Sequence, residues 1–532
     1  MYNDKCLYII IQIGSDMTSK VNLKIFIPLI FLIIGILVNF YPVIMSHFHL
    51  FWADDTDGLL HIYLLEHNLS WFLQQYPHLS LFNPPFFYPD KNVLLYSDPY
   101  ITATPFYALF RIFFDEKNSF TFLLMLVMAL DFGMFYILLK NKFKLNILAS
   151  SIGAYIFAFS LFNQIQLTVN HHSQMIYLFF VVISLYALLS VNKHNTLRQN
   201  CVWVIMFYLF IILSVYNVYA ITWYYCFSLF LFMLSMLFFK RPRRKLIIFI
   251  RRFGKLFAVG LFSAMLMLFP LVSHYLQFNV VWGDFSTNTI NDFFKNYSLY
   301  NLVVKPLSYD DIVEHNSGVE YFTLFLGLWG IYYFKRFRGV LFLFLLVLFL
   351  LSTEIGNMNL WYYIFNYFPG ANGMRMNQRI IVVFYSVMAF GCAVMINDLC
   401  RYEKRKILNS LFVFCVSFSL CLFQETYLPK IIFWGNDIYN TISTTSIKVD
   451  VDKYSKLIQE RNCKIISLNF LKEGKDEYPE NWVDILNMKV MWVAQKNKVY
   501  TLNGYSGYKP EEPSRKLTAE EEAVLCRFKY DW

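Results

Sequence analysis

Three carboxylates fall within four positions, at Asp54, Asp55 and Asp57, in the stretch FWADDTDGLLHIYLLEHN (51–68) that directly follows a long apolar run. Acids beside an apolar segment are costly to desolvate, so their presence asks for a purpose. A helix beginning near Asp54 sets Asp54 and Asp57 at i, i+3, and Asp57 and His61 at i, i+4, which puts carboxylate and imidazole on one face. That pair suits a general base, or a divalent-cation site completed by substrate oxygen atoms. Helix capping is the plainer alternative: Asp54 or Asp55 is then the N-cap, and the macrodipole favours the other acids in the first turn. One acid can cap while another does chemistry, so both readings stand.

Further along come four more sets of candidates. The segment LFNPPFFYPDKNVLLYSDPY (81–100) is rich in Pro, aromatics and turn formers, and contributes Tyr88 and Asp98. It reads as an ordered extended loop on a membrane surface, its aromatics serving as interfacial anchors or as platforms for a sugar. His171 and His172 sit in a short polar turn; adjacent side chains diverge on a helix, so as a metal pair they are weak. Arg375 and Arg379 stand one helical turn apart in WYYIFNYFPGANGMRMNQR (361–379). Guanidinium forks there fit a phosphate or pyrophosphate, with headgroup snorkelling as the alternative. Glu320, with Tyr88, Asp98, His171 and His172, completes the candidate substrate-binding set.

The elements that position these residues are dictated by composition. The 532 residues are 57% hydrophobic and only 15% charged, against roughly 25% charged in an average soluble domain. Apolar runs of about 17 to 25 residues recur, each long enough to cross a bilayer as a helix. The net charge of +10 is carried by short clusters between the runs, such as KRPRRK (240–245) and RYEKRK (401–406). That distribution is the positive-inside pattern rather than a nucleic-acid surface, and no nucleic-acid partner is read from it.

Placing every basic cluster in the cytoplasm predicts eleven spans: 23–45, 118–139, 146–162, 174–191, 201–217, 219–239, 246–270, 319–334, 339–352, 378–397 and 407–424. The stretch 100–114 is assigned as an interfacial helix, because counting it as a span would throw every later basic cluster outside. Three parts follow: a cytoplasmic segment 1–22, a transmembrane region 23–424 with its first extracytoplasmic loop at 46–117, and an extracytoplasmic region 425–532. Met17 begins a more ordinary start than Met1, which leaves open whether residues 1–16 are native. The C-terminal region mixes strand-like runs (KIISLNF, KVMWVAQ, KVYTL) with an acidic helix-like stretch, TAEEEAVL, and reads as a small α+β domain. Its Cys463 and Cys526 are isolated in an oxidising compartment and are expected to form a disulfide. The other seven cysteines lie in or beside apolar stretches and read as small buried hydrophobes. No Walker A, GxGxxG, HExxH or paired CxxC motif occurs.

Five segments, in order, resemble bacterial polytopic membrane proteins of the GT-C glycosyltransferase superfamily. TDGLLHIYLLEHN is similar to that group's Asp-x-x-x-Asn-x-Trp stretch, and LFNPPFFYPDKNVLLYSD to its Phe-Tyr-Pro followed by Leu-x-x-Ser-Asp. NHHSQMIYLF resembles its Gly-His-x-Asn segment, FPGANGMRMNQR its Pro-Gly…Leu-Arg-Val-Pro-x-Arg, and NGYSGYKP (503–510) its Asn-Gly-Tyr-Ser-Gly-x-x-Pro. His61 and Tyr63 stand where the group has Asn and Trp, and Asn377 replaces the Pro between the two arginines. The resemblance implies an all-α polytopic GT-C fold and a multi-pass protein of the bacterial cytoplasmic membrane. It implies inverting transfer of a sugar from a polyprenyl-phosphate-linked donor to a glycan, lipid or protein hydroxyl on the extracytoplasmic side, with Asp57 as base. A flippase or transporter for lipid-linked glycans, or a non-catalytic assembly factor, is the rival reading. Spans almost free of ionisable residues at mid-span, Asp131 being the main exception, favour the enzyme over the transporter.

Overall fold

The computed structural model describes residues 20–49, 56–75, 80–168, 172–277, 321–352, 360–371, 374, 377–401, 444–469, 480–506 and 515–529. The described chain is mostly helical with one small sheet. A helix closes its backbone hydrogen bonds within one segment, the only solution open to a single apolar run in lipid.

Among the described residues, five helices are long and apolar enough to cross a membrane: Glu116–Lys142, Leu197–Val215, Tyr219–Leu237, Lys240–Tyr275 and Ile381–Cys400. Five more apolar helices are shorter: Phe26–Asn39, Ile147–Ala158, Ser173–Leu188, Thr323–Tyr333 and Arg338–Leu351. The expected count of eleven is therefore not reached by length and composition, and 407–424 lies outside the described residues. The run at 23–45 opens as the helix Lys20–Asn39, 20 residues long, and turns at Phe40 ahead of the next short helix, Tyr41–Met45. The run at 146–162 ends at Ala158 and restarts as Leu161–Thr168, so neither piece is a full span. Within 100–114 the helix is Thr104–Arg111, about 12 Å long at 1.5 Å per residue and so too short to cross.

Close backbone packing sets the position of the helix Ile381–Arg401. A Cβ on Gly330 would lie 1.7 Å from the Gly391 carbonyl oxygen, and one on Gly391 would lie 2.2 Å from that of Gly327. Small residues thus let the helices Tyr321–Tyr333 and Ile381–Arg401 touch along their main chains. Gly153 performs the same service against Ala393. The helix Ile381–Arg401, which the turn carrying Arg379 leads into, is thereby held against the helix bundle.

The C-terminal region has a core of its own, built from Tyr454, Ile458, Ile466, Val490, Val493 and Phe528 among others. Its strands β1 (Ile465–Asn469), β2 (Tyr500–Thr501) and β3 (Leu525–Lys529) form a sheet in the order β2-β1-β3, and both pairings are parallel. Parallel neighbours need a crossover, and the helix Glu480–Asn497 supplies one between β1 and β2. The unit is therefore α/β rather than the expected α+β. KVMWVAQ, expected as a strand, lies inside that crossover helix. Its Val490, Val493 and Ala494 face the sheet core, while Met488, Met491 and Trp492 join the core of the main helical body. Both sets run i, i+3, i+4. A helix buried on two sides has no polar face to betray its period, which is why the run read as a strand.

Cys463, just before β1, is bonded to Cys526 in β3, with Cα atoms 5.7 Å apart and a sequence separation of 63. A loop of that length contributes about 4 kcal/mol to the unit on the chain-entropy account. Reduction, or Cys463→Ser with Cys526→Ser, is expected to lower its denaturation midpoint accordingly. Thiol labelling and gel mobility that do not change with reductant would disprove the bond.

Candidate functional site

The helix Asp57–Phe72 is buried along most of its length, so its polar side chains need partners inside the protein. Several find them in the neighbouring loop and helix. His67 Nε2 lies 2.9 Å from the Leu81 carbonyl, and Asn68 donates to that of Pro99 at 2.7 Å. Glu66 accepts from Tyr107 and from Arg111 Nε, both at 2.6 Å. These bonds lock the helix to the loop 80–100 and to the helix Thr104–Arg111. Burial pushes the His67 imidazole down to about 4, with the Leu81 carbonyl opposing weakly. His67 is consequently neutral at physiological pH and serves as a fixed donor.

Asp57 opens this helix. Thr56 is the N-cap residue and makes no side-chain capping bond, so the helix starts later than a cap at Asp54 or Asp55 requires. The carboxylate of Asp57 is at the positive end of the helix dipole. Its Oδ1 accepts from the Tyr505 hydroxyl at 2.6 Å, and its Oδ2 lies 3.5 Å from His172 Nε2. Burial alone would raise its pKa, but hydrogen bonds from His172 and Tyr505, with the charge of His172 and His61, outweigh it. They hold the carboxyl below the usual carboxylate range. The side chain nevertheless keeps 35% of its surface accessible, so a ligand can reach it.

The imidazole set against Asp57 is that of His172; His61, the expected partner on the same helix face, has Nδ1 2.8 Å from Ser173 Oγ instead. His172 is buried and precedes the 3-10 turn Ser173–Ile176. Its second nitrogen, Nδ1, lies 3.5 Å from Arg379 Nη2. Because guanidinium can only donate, Nδ1 must accept, and the ring proton is on Nε2, facing Asp57. Arg379, His172 and Asp57 thus form a donor-to-acceptor line assembled from three distant segments. Arg379 itself sits in the 3-10 turn Asn377–Ile380 that leads into the helix Ile381–Arg401.

Asp98 lies on the other side of Arg379 electrostatically. Its Oδ1 accepts from the Tyr219 backbone N–H at 3.1 Å, serving an N-terminal donor of the helix Tyr219–Leu237 whose own N-cap, Val218, provides no side-chain bond. Burial pushes the Asp98 carboxyl up to about 6, opposed by the Arg379 charge and by that hydrogen bond. A carboxyl raised from 3.8 binds protons better in the folded chain, so the stability it contributes is complete below pH 4 and is lost as pH rises through about 6. Asp98→Asn keeps an acceptor for Tyr219 and removes this dependence. Relative to the wild type, the variant is expected to gain up to about 3 kcal/mol between pH 4 and pH 7. Thermal denaturation at the two pH values checks it; parallel curves for both proteins would refute the assignment.

Tyr88 goes elsewhere. Its hydroxyl donates to Glu521 and its ring packs on Tyr500 at 4.6 Å, so it joins the first loop to the C-terminal unit. Backbone bonds strengthen that junction: Thr501 N–H to the Pro85 carbonyl at 2.8 Å, Tyr88 N–H to that of Thr501 at 2.9 Å, and Phe87 N–H to that of Asn503 at 3.2 Å. Lys496 pairs with Glu116 at 2.6 Å. This docking delivers Tyr505 to Asp57 from 448 residues away. The segment NGYSGYKP stood out in the sequence with no role for Tyr505; the signal available was the motif itself.

Asp54, Asp55, His171, Glu320 and Arg375 lie outside the described residues. Among the described residues, no three His, Cys, Asp or Glu side chains group as metal ligands. Asp57 and His172 supply two such donors and lie against each other, Oδ2 to Nε2 at 3.5 Å.

With this geometry in place, two solved structures share the architecture. The Archaeoglobus fulgidus oligosaccharyltransferase in its apo form superposes with a TM-score of 0.52 at 12% identity, over 91% of this chain and 65% of that one. The same enzyme tethered by a disulfide bond to an acceptor peptide containing the NVT sequon gives 0.52 at 11% identity, over 91% and 64%. The chain thus spans a little under two thirds of that enzyme's length and shares its fold. No protein-family profile and no curated protein matches the chain.

Proposed function

We propose that the chain is a membrane glycosyltransferase that moves a sugar from a polyprenyl-phosphate-linked donor to an acceptor hydroxyl on the extracytoplasmic face, with inversion. The observation that carries this reading is the line Asp57–His172–Arg379, a carboxylate and a guanidinium brought together on the fold of an oligosaccharyltransferase. The chemistry asks for both. The acceptor oxygen attacks the anomeric carbon while its proton passes to the Asp57 carboxylate, and the anomeric C–O bond breaks with its electron pair leaving on the phosphate. Arg379, and Arg375 one turn earlier in the sequence, supply fixed positive charge where that negative charge develops. Inversion follows from a single displacement with base and leaving group on opposite sides of the ring.

His172 keeps the two charged groups in register. Its ring lies between them, Nε2 toward Asp57 and Nδ1 toward Arg379, so neither charge collapses onto the other. The membrane reading places this cluster outside, in the bacterial cytoplasmic membrane, with the C-terminal unit on the same side. The test compares lipid-linked and envelope glycans of a strain lacking the chain with those of its parent. Accumulation of one polyprenyl-phosphate sugar with loss of one glycan decoration is expected; identical profiles discard the reading.

A further inference from the structure

The Tyr505–Asp57 contact has a chemistry that a docking role alone does not require. A phenol donates an O–H to the oxygen of the carboxylate that, on the reading above, must receive a proton from an acceptor O–H. The donor atom, the acceptor atom and the 2.6 Å separation are those a bound acceptor hydroxyl would present to a general base. The other carboxylate oxygen faces His172, which leaves Oδ1 as the side for the incoming hydroxyl. We propose that the Tyr505 phenol is a resident stand-in for the acceptor hydroxyl, marking the acceptor subsite at Oδ1 of Asp57 and leaving that oxygen before transfer.

The surroundings fit a side chain that moves on a backbone that does not. The main chain around Tyr505 is bonded to the first loop at Pro85, Phe87 and Tyr88, and its own N–H points at Met491 Sδ at 3.1 Å. Gly504 lies flat under Phe87, whose ring a Cβ would meet at 2.4 Å. The ring of Tyr505, by contrast, is only partly buried, as is Asp57. Rotation of the side chain therefore exposes Oδ1 without undocking the C-terminal unit. The contact also explains how a base can rest quietly. With donors on both oxygens Asp57 holds its negative charge and is a poor proton acceptor. Exchanging the phenol for a substrate hydroxyl puts the transferable proton on the same oxygen. Because a phenol and an alcohol are both O–H donors, the subsite selects hydroxyl acceptors.

This inference rests on the glycosyl-transfer reading, and the experiment has one arm independent of turnover. Tyr505→Phe removes one oxygen and keeps the ring. In the first arm, carbodiimide labelling of Asp57, which requires the protonated carboxyl, is followed against pH in the full-length chain. The labelling midpoint is expected to rise by about one pH unit in the variant; an unmoved midpoint overturns the proposal. In the second arm, transfer is measured against acceptor concentration. The acceptor KM is expected to fall about tenfold as the competing hydroxyl is removed, with kcat not reduced and the donor KM unchanged. A fall in kcat at constant acceptor KM overturns the stand-in and makes the phenol a required donor. A shifted labelling midpoint in a chain that transfers no sugar discards glycosyl transfer, and the acceptor subsite with it, while retaining the Tyr505–Asp57 contact.

Discussion

Asp57→Asn is expected to lower sugar transfer by about a hundredfold or more while the protein remains folded and inserted. Asn preserves the shape of the side chain and an acceptor for the Tyr505 hydroxyl, but cannot take a proton from an acceptor. General-base removal accounts for about 10²- to 10⁴-fold. The structural cost is much smaller, because an acid in the first turn of a helix contributes about 0.3–1 kcal/mol. Measured side by side, a large loss of rate with a small loss of thermal stability separates catalysis from helix-end electrostatics. Asp54→Asn and Asp55→Asn are the comparison. Thr56 occupies the N-cap position, so neither upstream acid is needed there, and both variants are expected to retain near-normal transfer. Full transfer in Asp57→Asn with loss in one of the other two would move the base upstream. Activity in all three would remove the first loop from the catalytic centre.

The apolar runs were legible because a bilayer imposes length and composition together, and ten of the expected spans coincide with apolar helices in the structure. Their ends were less legible. At Phe40 and at Phe159 the composition stays apolar while the backbone turns, since breaks of this kind are set by packing and by Pro42 rather than by polarity. The C-terminal unit misled the reading for a related reason. Val490–Gln495 is buried on both sides, so neither a period of 2 nor one of 3.6 is visible in it.

In the site, local spacing singled out Asp57 and set it with His61, whereas the imidazole against its carboxylate in the structure is that of His172. Asp57 and His61 are one turn apart on a single helix, the kind of proximity that i, i+4 reasoning detects. His172 reaches Asp57 from another segment, and only the packing of the turn Ser173–Ile176 against the helix Asp57–Phe72 brings it there, with Ser173 occupying His61. Tyr505 is more remote still and depends on the backbone ladder between the first loop and β2. Tyr88, an aromatic suited to a sugar platform, contacts Glu521 and Tyr500 and so joins two parts of the chain.

Arg379→Ala is expected to reduce transfer about a hundredfold or more, the magnitude for removing one preorganised donor to a developing anion. Arg379→Lys should recover only part of it, because a point charge does not replace a planar bidentate fork on phosphate. A competing account assigns Arg379 to Asp98, whose buried carboxyl its charge pulls down. On that account the arginine is a counter-ion, and its loss matters only while Asp98 is ionised. The two accounts part in the Asp98→Asn background, where there is no charge left to neutralise. If Arg379 serves the leaving phosphate, adding Arg379→Ala to Asp98→Asn still costs about a hundredfold, mostly in kcat/KM for the donor. If it serves Asp98 alone, the double variant transfers as well as Asp98→Asn, and the phosphate role is lost. The pH dependence gives a second readout with a definite sign. Without Arg379 the Asp98 carboxyl rises above about 6, so the loss of stability with rising pH shifts to higher pH in Arg379→Ala. That shift is absent when Asp98 is Asn, whereas the loss of transfer persists.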